Sequence, residues 1–397
     1  MIKIAILGLG TVGTGVVKVV EANTVPIQHK LGEPLGVKTA LVRTMRSGPY
    51  HHLMTENFRE IETDSEIRVV VETIGGVGAA YEYTRRCLMA GKHVVTANKQ
   101  LVAEHGCELL ELAQKNHVNY LFEASVGGGI PILHPLTQCM AANRVDQIYG
   151  ILNGTTNFIL TKMVKEGASF ADVLKLAQEK GYAEADPTAD VEGIDAGRKI
   201  CILADLAFGH QVNPEKVPME GITKLDLKDV EIAGRHGFRI KLLGRCLRLE
   251  GNRRTAYVAP HLIPMDNPIS NVNDVFNAVV VRGNATGEVM FYGKGAGELP
   301  TASACVADVM ECVQENRFRP EISWSADEGG FVSPLELKGR WYFRIDAPAE
   351  QVQPLVGKAA MLEEGRDTVL ITEPITGQEA EALEKKLPVL ARLRMLD

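Results

Sequence analysis

Residues 2–13 read IKIAILGLGTVG. Ile2 to Leu7 form a short apolar run that stops at Gly8. Glycines at 8, 10 and 13 follow, and an apolar helical pattern continues through Val20. A strand, spaced glycines and a helix in that order have a specific physical meaning. The first glycine makes a tight turn, the second lets backbone approach a pyrophosphate, and the third lets helix pack on strand. The helix N-terminus then faces the phosphates. The competing reading is a glycine-rich turn of purely structural use.

Working outward, the pattern repeats. A Pro/Gly-containing loop spans Asn23–Gly36, and Val37–Val42 reads as the next strand. An acid ending that strand would suit the ribose of NAD. Here it ends on Arg43, with Arg46 close by, so the reading leans to the 2′-phosphate of NADP(H), with NAD(H) as the alternative. Met45–Thr55, with the His51-His52 pair, reads as a solvated loop. Arg68–Glu72, His93–Thr96 and Val118–Phe122 are further strand candidates, separated by helices at Ala79–Ala90 and Leu101–Asn116. This alternation predicts an α/β fold with a Rossmann-type doubly wound parallel sheet. Ligands bind such sheets at the carboxyl ends of the strands, which groups Gly8–Gly13, Arg43, Thr73, Lys99 and Glu123 along one edge. A lysine at a helix start opposes the helix dipole, which favours a functional reason for Lys99.

The stretch after the fifth strand, Glu123-Ala124-Ser125-Val126-Gly127-Gly128-Gly129-Ile130-Pro131, offers one carboxylate and a flexible backbone. Its alternatives are a hard-oxygen cation site and a plain strand-to-helix turn. From about residue 144 the character changes. Val145–Leu152 reads as a strand, helices follow at 156–166 and 169–180, and strands of an antiparallel sheet are expected at Phe238–Leu249, Thr255–Ile263, Asn277–Val281 and Glu288–Tyr292. Between them lies GYAEADPTADVEGIDAGRK, residues 181–199, with an apolar helical run beyond it. Asp195 and Lys199 are four apart, which on a helix puts acid and base on one face. The bland reading is a surface ion pair on a solvated acidic face. A helix is expected at Thr301–Glu315, a linker at 319–335, and a small α/β module after it: strand 341–345, helix 350–361, strand 368–372, helix 377–386 and strand 389–395.

The totals exclude several classes. With 397 residues, 45% hydrophobic and 23% charged, the chain is an ordinary globular protein of two or three domains. A net charge of −7 without a basic block argues against nucleic acid or an anionic membrane as partner. No apolar run reaches bilayer length and no leader pattern is evident, so a cytoplasmic protein is expected. Seven scattered cysteines lack metal spacing and read as reduced thiols.

Six motifs in order resemble the homoserine dehydrogenase family: GLGTVG at 8–13, TANK at 96–99, EASVGGGIP at 123–131, GILNGTTNFIL at 150–160, the 181–199 stretch, and GKGAGELPTASA at 293–304. The match covers residues 1 to about 315. The resemblance implies NAD(P)H-dependent reduction of L-aspartate 4-semialdehyde to L-homoserine, on the route to threonine and methionine. It implies Lys199 as proton donor, Asp195 as the carboxylate that positions the reacting centre, and Lys99 as a second lysine near nicotinamide and substrate. Glu184 would hold the substrate ammonium, with Gly154 and Thr155 lining the substrate. Gly8, Leu9, Gly10, Thr11, Val12, Gly13, Arg43, Thr73, Lys99 and Gly297 fall at cofactor positions. Glu123 with Val126, Gly128 and Ile130 matches a sodium-type, monovalent cation site. A homodimer or higher oligomer is implied, joined through the middle domain.

The implied domains are 1–140, dinucleotide-binding and completed by about 293–316; 141–292, an α+β domain for substrate and dimerisation; and 320–397, ACT-like. The tail departs from the family. An Asp/Pro-Gly-Val turn is replaced by Asp346-Ala347-Pro348-Ala349-Glu350-Gln351, and the short stretch after the first helix reads as lacking a strand. A reduced module with doubtful threonine sensing is therefore expected. Two rivals were weighed. An aldehyde-oxidising enzyme needs a cysteine nucleophile, yet Cys87, Cys107 and Cys139 all sit in helical patterns. A non-catalytic nucleotide sensor has no need of Lys99, Glu184, Asp195 and Lys199 together.

Overall fold

The computed structural model describes residues 1–314, 318–319, 322–327 and 329–396. It divides into two compact units. One comprises Met1–Val145, Cys201–Pro214 and Gly283–Gly329, and the other Asp146–Ile200, Glu215–Arg282 and Gly330–Asp397.

The first unit holds a six-stranded sheet. Its strands are β1 (Ile2–Leu7), β2 (Leu35–Leu41), β3 (Met54–Thr55), β4 (Ile67–Glu72), β5 (His93–Thr96) and β6 (Tyr120–Leu121). They run parallel in the order β3-β2-β1-β4-β5-β6. The central strands are apolar on both faces because helices cover both. Ile4, Ile6, Val69, Val71 and Val95 are all fully buried. The strand order reverses between β1 and β4, which opens a crevice at their carboxyl ends. Helix Thr11–Ala22 follows β1, and helix Glu298–Val313 packs on it; Lys18 bonds Glu298 at 2.6 Å.

Several expectations need correction here. The 23–36 segment is not a loop: Thr24–Leu31 is a helix, closed by left-handed Gly32. Pro26 is tolerated because first-turn residues need no intrahelical N–H bond. The 45–55 segment ends in β3, which pairs with Ala40 and Leu41 as an edge strand. In the expected linker 319–335, Trp324 is buried and stacks edge-on to Phe122 at 5.9 Å. Residues 320, 321 and 328 of that segment, and the expected helix end at Glu315, lie outside the described residues.

The second unit is built on β7 (Val145–Ile151), β8 (Phe238–Arg248), β9 (Arg254–Pro264) and β10 (Phe276–Gly283), in the order β10-β7-β8-β9. β8 and β9 pair antiparallel from Phe238↔Pro264 to Arg248↔Arg254. Tyr149, Ile151, Leu243, Ile263 and Val280 form the core on this sheet. The tail strands continue it. Their order is Val389–Met395, Trp341–Ile345, Thr368–Thr372, Ala359–Glu364, and the first of them pairs in parallel with β9 through Arg394↔His261. Strand Ala359–Glu364 is the one expected to be missing; it pairs antiparallel with Thr368–Thr372. The sequence AAMLEE has little β character of its own, and its strand state comes from that partner. The first tail helix is correspondingly shorter than expected, Ala349–Val356.

A buried ion pair ties the tail to helix Leu227–Arg235. Arg344 grips Asp229 with both Nε (2.7 Å) and Nη2 (2.9 Å), and Tyr342 donates to the same carboxylate at 2.7 Å. All three residues are buried. Removing one partner of such a pair strands the other. Arg344→Ala should therefore lower unfolding free energy by about 3–5 kcal/mol in urea titrations; a loss under about 1 kcal/mol would place the pair among weak surface pairs.

Lys241 is a second buried charge in this unit. Its Nζ donates to Asn157 Oδ1 at 3.0 Å and to the Val272 carbonyl at 2.5 Å. Burial pushes its pKa down to about 7. An unfolded lysine holds its proton to about pH 10.4, so between these values the unfolded chain binds more protons. This group therefore makes stability rise with pH from about 7 to about 10.4. Lys241→Met should flatten that rise relative to the parent protein in urea titrations across the window; an unchanged slope would contradict it.

Candidate active site

In the first unit, β1 ends at Gly8, whose φ is +96°, and helix Thr11–Ala22 starts with Gly10 at its cap. A Cβ at Gly13 would sit 2.0 Å from the Gly8 carbonyl, so only glycine lets the helix approach the turn this closely. Thr73, just beyond β4, donates its hydroxyl to the Gly8 carbonyl at 2.7 Å. Gly10 has no side chain to cap the first-turn amides of Thr11 and Val12, which face an acceptor from outside the helix.

A groove of about 760 Å³ opens beside this turn, lined by Leu9, Arg43, Arg46, Thr73 and Tyr83 among others. The structure thus gathers the predicted turn, Arg43 and Thr73 around one space. Arg46 adds a role beyond proximity: its guanidinium donates to the Leu9 carbonyl and holds the turn. Glu56 also lines the groove, but its carboxylate accepts the Met45 amide at 2.7 Å.

Glu72 was not singled out from sequence, although it ends an otherwise apolar strand. It is fully buried and accepts the Ile74 amide at 2.7 Å and the Thr96 hydroxyl at 2.6 Å. Burial raises its pKa, against the pull of those bonds. Asn98 then donates to the Gly76 carbonyl at 2.6 Å and caps helix Lys99–Lys115 through Leu101. Glu72 and Asn98 together fix the loops after β4 and β5, and so place half-buried Lys99 at the first helical position.

Glu123 sits in a short turn, Glu123–Ser125, and is buried. Its carboxylate accepts three backbone amides: Ile132 at 2.6 Å, Leu133 at 2.9 Å and His134 at 2.6 Å. The 126–130 loop runs close to the segment before Gly297, the cap of helix Glu298–Val313; a Cβ at Gly128 would lie 2.5 Å from the Gly295 carbonyl. Among the described residues no group of three or more His, Cys, Asp and Glu could hold a metal ion.

Helix Ile194–Phe208 has its first residues, to Ile200, in the second unit, and there it presents Asp195 and Lys199 on one face, as their spacing requires. Lys199 Nζ donates to Asp195 Oδ2 at 2.7 Å and to the Leu152 carbonyl at 2.7 Å. Lys199 is 7% exposed and Asp195 5%, which rules out the surface ion pair. Leu152 lies at the end of β7, so the strand itself aims the ammonium.

Asn153, next in the chain, does three things at once. Its Oδ1 caps helix Gly154–Glu166 at the Thr156 amide, 2.9 Å away. Its Nδ2 donates to Asp195 Oδ2 at 2.9 Å and to Asp190 Oδ1 at 2.7 Å. Burial raises the Asp190 pKa. Asparagine before a helical run is a cap signal in sequence, but its bridging of two acids is not. Gly154 opens the helix where a Cβ would meet the Val275 carbonyl at 2.8 Å. Thr155 ties that helix to the acidic loop by donating to the Tyr182 carbonyl at 2.7 Å. Of the other acids in 181–199, Asp186 folds back on the Thr188 amide and hydroxyl, and Glu192 accepts from Thr223. Glu184 stays exposed, its backbone carbonyl held by Gln178.

The chain was compared with known proteins. A family profile described as homoserine dehydrogenase matches residues 131–310, and one described as its NAD binding domain matches 8–123. Homoserine dehydrogenase of Bacillus subtilis is 45% identical over 357 residues, covering 88% of this chain and 82% of that protein. The Pseudomonas aeruginosa homoserine dehydrogenase is 41% identical over 402 residues, covering 98% and 91%. Among solved structures, a homoserine dehydrogenase from Thiobacillus denitrificans superposes with a TM-score of 0.91 at 37% identity, covering 100% of this chain and 98% of that one. A hyperthermophilic archaeal homoserine dehydrogenase in complex with NADPH gives 0.66 at 27% identity, covering 78% and 97%. Neither a cysteine-dependent aldehyde oxidation nor a non-catalytic sensor accounts for these matches. This chain belongs to the homoserine dehydrogenase family, the NAD(P)-dependent oxidoreductases of amino-acid biosynthesis that act on a CH–OH group.

Proposed function

We propose that Lys199 supplies the proton when this chain reduces L-aspartate 4-semialdehyde to L-homoserine. The observation that supports this most directly is the buried ammonium fixed by Asp195 and the Leu152 carbonyl. Bound NAD(P)H supplies the hydride. Hydride arrival leaves negative charge on the former carbonyl oxygen, and a positioned ammonium stabilises that charge as it develops and then protonates it. Two of the Lys199 donors are already committed, which sets the direction of the ammonium. Asp195 keeps the lysine in place and is itself held by Asn153. Glu184, exposed on its loop, is assigned to the substrate ammonium, and Gly154 with Thr155 to the wall beside it. Lys99 is assigned to the second cationic position, near nicotinamide and substrate.

NADP(H) is the preferred cofactor in this reading, with NAD(H) as the alternative. Its support is Arg43 in the groove, where the nearby acid Glu56 is turned to a backbone amide and does not compete for a ribose. A monovalent, sodium-type cation would be held by Glu123 with the carbonyl oxygens of Val126, Gly128 and Ile130; three backbone amides fix the Glu123 carboxylate. The tail is read as ACT-like from its strand–helix–strand–strand–helix–strand order. The family resemblance supports a homodimer through the middle sheet. Free thiols at all seven cysteines suit a reducing, cytoplasmic setting. Among the described residues no helix is long and apolar enough to cross a membrane.

Lys199→Ala should lower kcat for homoserine oxidation about 10²–10⁴-fold while the dissociation constant for NADP stays near that of the parent. Near-normal turnover would remove Lys199 from proton transfer. Arg43→Ala should raise KM for NADP about tenfold or more, the loss expected for a charge-assisted bond, and change KM for NAD far less. Equal changes for both cofactors would contradict the assignment of Arg43 to a 2′-phosphate.

A further inference from the structure

The sheet of the second unit holds another concentration of charge that the reduction does not use. Where β8 and β9 meet the tail strands Trp341–Ile345 and Val389–Met395, they enclose a cavity of about 90 Å³. Its lining includes four cationic side chains, Arg245, Lys338, Arg340 and Arg394, and two aromatic ones, Tyr257 and Trp341. None of the described residues lining it is acidic.

Strand register brings these groups together. Arg245 lies directly opposite Tyr257 in the β8–β9 pair, and Arg394 directly opposite Trp341 in the tail pair. The Arg394 guanidinium lies over the Trp341 ring at 4.3 Å and over the Tyr257 ring at 4.8 Å. Its hydrogen bond goes to a neutral acceptor, the Pro334 carbonyl at 3.3 Å. Arg245 likewise bonds neutral groups, the Tyr257 hydroxyl and Gln147 Oε1, both at 3.3 Å. Its Nε is buried and has no hydrogen-bond partner among the described residues. Arg392, outside the lining, already has its acid, Glu384 at 2.9 Å. His261, stacked on Tyr257, is fully buried, and burial pushes its pKa down to about 3, so it adds no charge. Glu220 is the acid whose charge reaches Arg394, without pairing with it.

Arg245 and Arg394, neither paired with an acid among the described residues, repel one another, and an incoming anion relieves that repulsion. Guanidinium forks match the geometry of phosphate and carboxylate. The aromatic faces hold Arg394 in place before any ligand arrives, which lowers the entropy lost on binding. A free amino acid fits less well, because no acid among the described residues lines the cavity to receive its ammonium.

We propose that this seam between the middle sheet and the tail is a binding site for a small oxyanion, a phosphate or carboxylate group, held by Arg245 and Arg394. The proposal is independent of the roles assigned to Lys199 and Arg43.

Trp341 is one of only two tryptophans and forms a wall of the cavity, so its emission reports on the site. The full-length protein is titrated with sodium phosphate and, separately, sodium malonate, each against sodium chloride at equal ionic strength. Fluorescence and calorimetry are followed together. The expected result is saturable binding of at least one oxyanion and none of chloride. Saturation by phosphate alone or by malonate alone assigns the ligand class. Arg394→Gln and Arg245→Gln should each weaken it about tenfold or more, the loss of one charge-assisted bond. Lys338→Gln, at an exposed position, should weaken it less and cannot be dismissed as misfolding. Arg43→Ala should leave it unchanged, which separates this site from the nucleotide groove. The proposal is overturned by no saturable binding in either readout, or by binding that all three seam variants leave intact. It is also overturned if Arg394→Gln only dissociates oligomers, which would make the cavity a seat for a second copy of the chain.

Discussion

A buried ammonium must have its partners supplied, and one end of the second unit is arranged around doing so for Lys199. One partner is a side chain a helical turn away, and the other is the backbone at the end of β7. Neither is enough without Asn153, which fixes Asp195 and caps the neighbouring helix with the same side chain. Strand, helix start and acidic loop are thus locked into one polar network. Moving any of them leaves a charge buried without its bonds, which costs several kcal/mol. The geometry proposed for proton delivery is therefore also one that the fold cannot easily give up.

The first unit handles its buried acids differently. Glu72, Glu123 and Asp205 each accept backbone amides from a following loop, and Asp308 accepts the Glu123 amide. Burial raises the pKa of all four. Their common effect is to give irregular chain a defined path, and Glu72 and Glu123 do so at the carboxyl ends of β4 and β6. A cofactor groove needs such paths, because its walls are loops while its precision has to come from elements that do not move.

How much was legible in sequence depended on how local the cause was. The Gly8–Gly13 turn could be read because its sterics involve a dozen consecutive residues. Asp195 and Lys199 could be read because a helix fixes residues four apart. The helix at 24–31 was hidden by Pro26 and Gly32, whose positions in its first turn and just past its last residue make them compatible with it. Strand 359–364 was hidden because its neighbour, not its composition, makes it a strand. The three amides of 132–134 that the Glu123 carboxylate accepts are not legible either, because they come from a loop about ten residues away. Arg245 and Arg394 are separated by most of the second unit's chain, and nothing in either neighbourhood announces the other.

The parallel pairing of the final strand with β9 has a further meaning. β9 is eleven residues long and buried along nearly its whole length. Its outer edge is covered in pieces: the 330–332 segment pairs at Arg254, the Pro218–Glu220 segment at Val258, and the final strand at His261 and Leu262. Without that strand, this end of β9 would be an open, apolar border of the kind that recruits strands from other chains. The final strand therefore acts as a selvedge: it finishes that corner of the middle sheet so that it does not knit itself to a neighbour. A shortened chain would keep every residue assigned to hydride and proton transfer and still be poorly suited to remain dispersed in a crowded solution.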